Sequence, residues 1–137
     1  MTENTIYAVE ATGNGRSDLQ VVEKTAPAAP GPGEVTVDML VLTINPADIL
    51  MLEGRYGVRP SAPFIPGSEG VGRISAVGAD VTLRVGDIVM PMPGNAWVEQ
   101  ITLPARQVVA LPASVDLDQA AMLKANPATA LVMLDDI

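Results

Sequence analysis

Short apolar runs separated by Gly- or Pro-containing turns dominate the chain. The runs are rich in Val, Ile, Leu and Thr, and turns recur roughly every 8–12 residues, which is typical of a β-barrel or β-sandwich. The predicted strands are Thr5–Thr12, Leu19–Thr25, Glu34–Ile44, Gly70–Val77, Ile88–Met90, Ala96–Leu103 and Gln107–Leu111.

The first two predicted strands are expected to form a hairpin around the turn Gly13-Asn14-Gly15. The Pro/Gly-rich segment Ala26–Gly33 is predicted to be a stiff, extended connection rather than a domain linker. Within Glu34–Ile44 the apolar residues become almost continuous toward the end. That pattern predicts burial on both faces of the strand.

Three segments have helical patterns. Asn45 and Pro46 fit the cap and the first residue of a short helix, and Asp48 falls in its first turn, where negative charge is favourable. Asp116–Ala121 is predicted to be a small helix, and Pro127–Leu134 a second one with Pro at its first position.

The helix predicted over Pro127–Leu134 has an unusual end. Asp135 and Asp136 place two carboxylates against the negative end of the helix dipole, and no Gly or Asn cap follows before Ile137. We therefore expect the chain to stop inside an interrupted helix.

Composition excludes several classes of function. The 137 residues suffice for one domain, and 8 Lys and Arg against 16 Asp and Glu give a net charge of −8, which disfavours nucleic-acid binding. Without His or Cys, the chain lacks the residues for zinc sites of the N/S type, Cys nucleophiles, Ser-His-Asp triads and disulfides. No signal peptide is recognised, and no apolar run reaches the roughly 20 residues of a membrane span. We therefore expect a cytoplasmic protein without a membrane partner.

Few residues stand out for chemistry on local grounds. Tyr56 lies within Gly54–Gly57, where it is either an exposed loop aromatic or a phenol that delivers a proton to a developing enolate. Asn45, Asn126 and Thr129 stand at helix starts. Capping explains the two Asn residues, and contact with a cofactor amide or ribose is the functional alternative.

The Gly-rich segment Gly67–Gly72 does not fit a phosphate-binding loop. Such a loop leads from a strand into a helix, but the residues that follow have a strand pattern, so we predict a tight turn into a strand. Glu69, within it, is a candidate buried carboxylate, although a lone carboxylate is no acid–base pair. Trp97, the single Trp, is predicted to be a packing anchor whose N–H needs a partner. Tyr7, in the first predicted strand, is also expected to pack.

Five linked motifs lie in the middle third of the chain. They are Ile44–Ile49, Gly54–Gly57, Pro63–Gly72, Ala76–Gly78 and Val85–Val89. In order and spacing they resemble the N-terminal, GroES-like half of the medium-chain dehydrogenases/reductases. The resemblance implies a mainly β fold with short helices. It also implies a GroES-like, partly open β-barrel over residues 1–125, and at residues 126–137 the start of a helix that connects to a nucleotide-binding domain.

Further motifs narrow the resemblance to the zinc-free branch of that family. Zinc-dependent members have a His at the position of Ser68, a Cys ligand and a four-Cys lobe for which Met90–Ala96 has no room. Gly54–Gly57 and Lys124–Ala130 are similar to the motifs of NADPH-dependent 2-enoyl thioester reductases, whose substrates are enoyl-CoA or enoyl-ACP. Quinone oxidoreductases, which usually differ at both motifs, are the alternative within this branch.

The resemblance also implies roles for individual residues. Tyr56 is expected to supply or position the proton for the α-carbon after hydride transfer from NADPH to the β-carbon. Asn126 is expected to contact NADPH, and Thr129 and Asn45 to line the nicotinamide pocket, without a metal.

Members of this family continue into a Rossmann domain of roughly 150 residues or more. We therefore expect this chain to be truncated before that domain and to have little or no activity alone. It should also expose apolar surface prone to association. Outside the enzymes, the alternative is a non-catalytic GroES-like module for binding or assembly.

Overall fold

Two β-sheets carry most of the chain. The computed structural model describes residues 5–13 and 15–135. The strands are β1 (Thr5–Ala11), β2 (Leu19–Thr25), β3 (Glu34–Leu42), β4 (Gly70–Val77), β5 (Ile88–Pro91), β6 (Gln100–Pro104) and β7 (Val108–Ala110). The α-helices are α1 (Pro46–Leu52), α2 (Leu117–Ala120) and α3 (Asn126–Asp135), and short 3₁₀ turns span Arg16–Asp18 and Ala105–Gln107.

The predicted hairpin is confirmed. β1 and β2 pair antiparallel along their whole length, and Asn14 of the predicted turn lies outside the described residues. Bridges from Ala8 to Val98 and from Ala11 to Phe64 attach the hairpin to the rest of the fold.

The second sheet has five antiparallel strands in the order β6-β3-β4-β5-β7. β6 and β7 form its two edges, so this sheet stays open. The pairing of β3 with β4 shifts register at Thr36/Val37 and at Met39/Val41, and such irregularities bend and twist a sheet. The mainly β, partly open fold agrees with the architecture that the sequence predicts.

Apolar side chains of the second sheet form most of the core. One buried cluster consists of Val35, Val37, Ile74, Val89 and Leu103. In another, the two alanines Ala120 and Ala121 at the end of α2 pack on Val71 and Ile88. The short helix α2 thereby covers β4 and β5.

A third cluster matters most for the site because it joins three separate elements. It contains Ala11 of β1, Leu52 of α1 and Trp97 of the loop before β6. Full burial of a side chain such as Leu52 contributes about 1.5–3 kcal/mol. This packing fixes α1 between the hairpin and the second sheet.

The predicted burial of both faces at the end of β3 is wrong. Val37 is fully buried, but Leu40 and Leu42 are 43% and 40% exposed. β6 pairs with β3 only from Glu34 to Asp38. The last residues of β3 therefore extend past β6 and have a strand neighbour on one side only.

The segment predicted as one strand, Ala96–Leu103, divides at Gln100, where β6 begins. Before that point the backbone bonds to the hairpin, since the Val9 N–H donates to the Trp97 carbonyl at 2.8 Å. Attachment of the hairpin thus replaces the first half of the predicted strand.

Tyr7 lies at the surface, contrary to the prediction that it packs. Its side chain is 46% exposed, and its hydroxyl donates to Glu23, directly opposite it in the hairpin, at 3.3 Å. The Glu23 carboxylate raises the pKa of the Tyr7 phenol above its usual value. This cross-strand pair holds the ring on the outside of the hairpin.

The helices predicted near the end of the chain are confirmed, with small changes in their bounds. α2 lies inside the predicted Asp116–Ala121, and the Asp116 carboxylate caps it by accepting the Gln119 N–H at 2.9 Å. α3 already includes Asn126, followed by Pro127. Asn126 therefore lies inside the helix, so a capping role before it is wrong.

α3 is apolar but uncovered. Its large apolar side chains are 60–71% exposed: Leu131, Val132, Met133 and Leu134. The structure describes α3 as far as Asp135; Asp136 and Ile137, which follow the predicted helix Pro127–Leu134, lie outside the described residues. In the described part of the chain, no helix is both long and apolar enough to cross a membrane.

Candidate active site at the start of helix α1

The sequence Asn45-Pro46-Ala47-Asp48 explains how α1 begins. Asn45 has an extended backbone, and Pro46 lacks the N–H that has no helical partner at this position. The Asp48 carboxylate accepts the backbone N–H of Asn45 at 2.7 Å, as in a capping box. The predicted helix start is confirmed. Asp48 is also buried, which a charge in the first turn of a helix does not require.

A second hydrogen bond ties Asp48 to the turn before β4. Its other carboxylate oxygen accepts the hydroxyl of Ser68. The preceding Gly67 has a φ of +102°, and a Cβ at this position would collide with the indole of Trp97. Glycine is required here for both reasons. The predicted tight turn into a strand is confirmed, because β4 begins at Gly70.

Trp97 anchors this turn from the other side. Its backbone N–H donates to the Pro66 carbonyl at 3.1 Å, and its indole N–H donates to the Thr43 carbonyl at 2.8 Å. The prediction of a packing anchor with a satisfied N–H is confirmed. Trp97 therefore links the end of β3 to the turn that carries Ser68.

Glu69 is fully buried in the same turn and accepts three N–H groups. Its Oε1 accepts the side-chain amide of Asn45 at 2.9 Å. Its Oε2 accepts the backbone N–H groups of Lys124 at 3.0 Å and Ala125 at 2.9 Å. A buried carboxylate is costly unless hydrogen bonds replace its contacts with water. Glu69 meets this condition by joining the start of α1 to the turn before α3.

Lys124 places a positive charge beside the two carboxylates. Its Nζ donates to the backbone carbonyl of Ser68 and, at 3.1 Å, to that of Met92. Burial lowers the pKa of Lys124, although the charges of Glu69 and Asp48 act in the opposite direction. We call this group the carboxylate cluster; it consists of Asn45, Asp48, Ser68, Glu69 and Lys124.

The prediction that Glu69 is a buried carboxylate is confirmed. Glu69 also has a second buried carboxylate close by, because Asp48 binds the same residue, Asn45. One feature of the sequence could have indicated this cluster: single acidic residues stand within Gly-rich or apolar segments. When such residues are buried they need hydrogen-bonding or charged partners. Nothing local marks Lys124 as the partner. Within residues 5–13 and 15–135, no group of three or more His, Cys, Asp or Glu is placed to hold a metal ion.

The four predicted site residues do not all lie together. Asn45 belongs to the carboxylate cluster, and Asn126 directly follows the turn that Glu69 binds. Thr129 lies further along α3 with its side chain exposed. Tyr56, 40% exposed, lies beyond the far end of α1, a helix about 10 Å long at 1.5 Å per residue. Their catalytic and cofactor roles stay predictions.

The fit to a nicotinamide cofactor differs among these residues. The Asn45 amide already donates to Glu69 and, at 3.3 Å, to the Thr43 hydroxyl, so both of its hydrogens are used within the chain. Asn126 and Thr129 carry an amide and a hydroxyl on the exposed helix α3, groups that suit a cofactor amide or ribose. Asn45 fits such a site as part of its wall rather than as an N–H donor.

An apolar cleft of about 210 Å³ opens beside the carboxylate cluster. Its walls include Met51, Val58, Phe64, Ile65 and Ser68. Tyr56 belongs to the loop that follows α1 and leads to Val58; Tyr56 itself is not part of the cleft wall. Ligand sites usually measure roughly 300–1,000 Å³, so this cleft suits the reacting end of a small substrate.

Comparison with known families adds to this geometry. The sequence profile of the alcohol dehydrogenase GroES-like domain matches residues 31–113, more than half of the chain. The chain belongs to this GroES-like domain family. The matched range contains both carboxylates of the cluster as well as Tyr56. The resemblance to the GroES-like half of the medium-chain dehydrogenases/reductases is thereby confirmed.

Relatives of this GroES-like domain include named reductases. The mitochondrial enoyl-[acyl-carrier-protein] reductase of Bos taurus is 42% identical over 112 residues, which are 80% of this chain and 30% of the relative. A solved structure of the ETR1P/NADP/crotonyl-CoA complex has a TM-score of 0.82 at 27% identity and covers 95% of this chain and 43% of that one. A quinone oxidoreductase of Pseudomonas syringae pv. tomato has a TM-score of 0.75 at 34% identity, with coverages of 93% and 40%. The chain thus spans less than a third of the length of the bovine relative.

Proposed function

We propose that residues 1–125 form the substrate-side domain of an NADPH-dependent reductase of 2-enoyl thioesters, and that residues 126–137 begin the connection to its nucleotide-binding domain. The observation that carries the proposal is that Met51 and Val58, which lie before and after Tyr56 in the sequence, both line the apolar cleft. Similarity to the bovine enoyl-[acyl-carrier-protein] reductase and to a structure that contains NADP and crotonyl-CoA supports the substrate class.

In this proposal, the residues of the chain bind the thioester substrate, orient it and supply a proton to it. NADPH, when bound, supplies the hydride for the β-carbon. The apolar walls formed by residues such as Phe64 and Ile65 hold the acyl end of the thioester and keep water away from the developing negative charge. The Tyr56 hydroxyl holds the proton that the α-carbon receives. Asn126 and Thr129 contact the nicotinamide end of the cofactor.

The proposal includes a nucleotide-binding domain beyond this chain. The bovine relative is more than three times the length of the matched region, and the apolar residues of α3 are exposed. Gly67–Gly72 leads into β4 and so offers no helix N-terminus for the cofactor phosphates. We therefore expect residues 1–137 alone to show little or no turnover.

A second candidate function is the reduction of quinones. The likeness to the Pseudomonas syringae quinone oxidoreductase favours it, at 34% identity over 93% of this chain. In that case Tyr56 has a structural role and the cleft accepts a flat ring.

A non-catalytic binding module is the remaining alternative, in which the exposed face of α3 is a docking surface.

The test compares two substrates of the full-length protein, which is the product of the complete reading frame. NADPH oxidation is followed with crotonyl-CoA and, in parallel, with a soluble quinone. The proposal predicts a higher kcat/KM for crotonyl-CoA. A clear preference for the quinone contradicts it in favour of the second candidate, and no oxidation with either substrate favours the binding module.

A further inference from the structure

The carboxylate cluster connects two segments that are far apart in the sequence. Glu69 bonds to Asn45, 24 residues before it, and to the backbone of Lys124, 55 residues after it. In addition, the Lys124 side chain binds back to the carbonyl of Ser68 in the same turn as Glu69. The turn before α3 is therefore held from both directions.

The hydrogen bonds of Glu69 hold the backbone of the turn before α3. Backbone N–H groups of Lys124 and Ala125 both point at one oxygen of Glu69, so the carboxylate fixes the backbone and not merely a side chain. Asn126, the first residue of α3, comes next in the chain. Its position is thus set relative to Asn45, whose amide binds the other oxygen of the same carboxylate.

Most of α3 lacks comparable anchors. No residue of α3 is buried, so packing within the described chain does little to hold the helix in place. The backbone bond from the Thr129 N–H to the Ala125 carbonyl, at 3.1 Å, links the helix only to the same turn. The orientation of α3 therefore depends on the turn that Glu69 and Lys124 hold.

We propose that Glu69 and Lys124 form a latch that positions Asn126 for NADPH and so sets the affinity of the enzyme for this cofactor. The latch rests on the function proposed above. Glu69 and Lys124 are positioning residues, because their polar atoms are used within the chain: the carboxylate by three N–H groups, and the ammonium by two carbonyls.

The first test is amide hydrogen exchange in Glu69→Gln, on the product of the complete reading frame. Glutamine keeps the shape of the side chain but offers one neutral oxygen in place of two charged ones. Hydrogen bonds to a charged acceptor are roughly twice as strong as neutral ones, so exchange at residues 124 and 125 should accelerate about tenfold. Glu53→Gln, which alters a carboxylate at the other end of α1 that pairs with Arg16, is the matched control and should leave this exchange unchanged.

The second test separates positioning from general structural damage. In Glu69→Gln, the KM for NADPH should rise about tenfold, with the KM for crotonyl-CoA within about twofold of the wild-type value. A purely structural role lowers the active fraction, and hence kcat, without moving either KM. Lys124→Met keeps the apolar stem and Glu69 but removes the ammonium, and should raise the KM for NADPH in the same direction.

Three outcomes decide the matter. Unchanged exchange at residues 124 and 125 in Glu69→Gln overturns the latch. Faster exchange with an unchanged KM for NADPH overturns its role in cofactor binding. If the wild-type enzyme does not oxidise NADPH, the proposed function fails and the role in cofactor binding fails with it, while the exchange data still decide whether the latch exists.

Discussion

The carboxylate cluster and α3 are adjacent in the fold, but they differ in whether their side chains find contacts within this chain. In the cluster, charged and polar groups are buried, and among the described residues no buried side-chain nitrogen or oxygen lacks a hydrogen-bond partner. In α3 the polarity is reversed, because four consecutive large apolar residues, from Leu131 to Leu134, are exposed. Buried polar groups need partners and exposed apolar surface usually marks an interface. The first region is thus self-contained, whereas the second is shaped to contact something else.

This difference explains how one domain can hold only part of a site. The cluster fixes the start of α1 and the turn before α3 without outside help. Tyr56, Asn126 and Thr129, in contrast, are exposed at the surface, Tyr56 beyond the far end of α1 and the other two on α3. A domain that supplies the cofactor can then bind the exposed face without disturbing the preformed part.

The largest effect on stability should come from replacing a buried leucine of α1, the helix that begins in the carboxylate cluster, and the comparison is a leucine of α3. Leu52→Ala removes a fully buried side chain from the cluster with Ala11 and Trp97, and should cost about 2–5 kcal/mol. Leu131→Ala, at a side chain 61% exposed, should change stability by less than about 0.5 kcal/mol. Urea unfolding of the 137-residue chain measures both. Similar losses in the two variants contradict the description of α3 as uncovered.

Gly67→Ala should have the next largest effect, about 2–3 kcal/mol, because a Cβ there combines backbone strain with overpacking against Trp97. Gly86→Ala is the matched control. Gly86 also has a positive φ, +97°, but no atom lies within 4 Å of its added Cβ, so only the strain remains. Thermal unfolding of both variants isolates the contact with Trp97. Equal losses mean that this contact has no effect.

Trp97→Phe should destabilise the chain by about 1–3 kcal/mol, because the Thr43 carbonyl loses its indole donor. Phenylalanine keeps an aromatic ring in the third core cluster but is smaller than tryptophan, so the loss combines the hydrogen bond with a packing cost. The midpoint of urea unfolding measures it. A shift that corresponds to less than about 0.5 kcal/mol shows that water replaces the indole without cost.

The smallest expected effect is the pH dependence due to Lys124. Burial lowers its pKa from the usual 10.5 in the folded chain, so the unfolded chain binds the proton more tightly. The protonated Lys124 therefore lowers the free energy of unfolding. This destabilisation is complete below the lowered pKa and diminishes as pH rises toward 10.5. The stability of the wild type minus that of Lys124→Met should therefore increase over this window, by less than about 1 kcal/mol because solvent screens a half-exposed group. A difference that is flat or falls with pH contradicts this assignment.

Sequence patterns predicted the parts of the fold that depend on neighbouring residues. The hairpin, the strand Gly70–Val77 and the start of α1 at Asn45 and Pro46 follow from alternation, turn residues and capping. The exposed end of β3 could not be predicted this way, because it depends on where β6 stops pairing. Sequence alone cannot reveal that geometry.

The candidate site divides in the same manner. Motifs indicate Tyr56 and Asn126 as candidates, whereas the sequence gives Asp48 only a favourable place at a helix start. The partners of Glu69 lie 24 and 55 residues away, so no local pattern indicates them. The return of Lys124 to the turn of Ser68 depends on the packing of α2 against β4 and β5, which no local pattern indicates.

The role of Tyr56 in a 2-enoyl thioester reductase can be measured as the kcat for crotonyl-CoA of Tyr56→Phe, made in the full-length protein. We expect a fall of about 100-fold or more, since a positioned general acid contributes about that much. Tyr7→Phe removes the only other phenol, exposed on the hairpin, and should leave the rate unchanged. Turnover in Tyr56→Phe within about twofold of the wild-type rate would contradict this role.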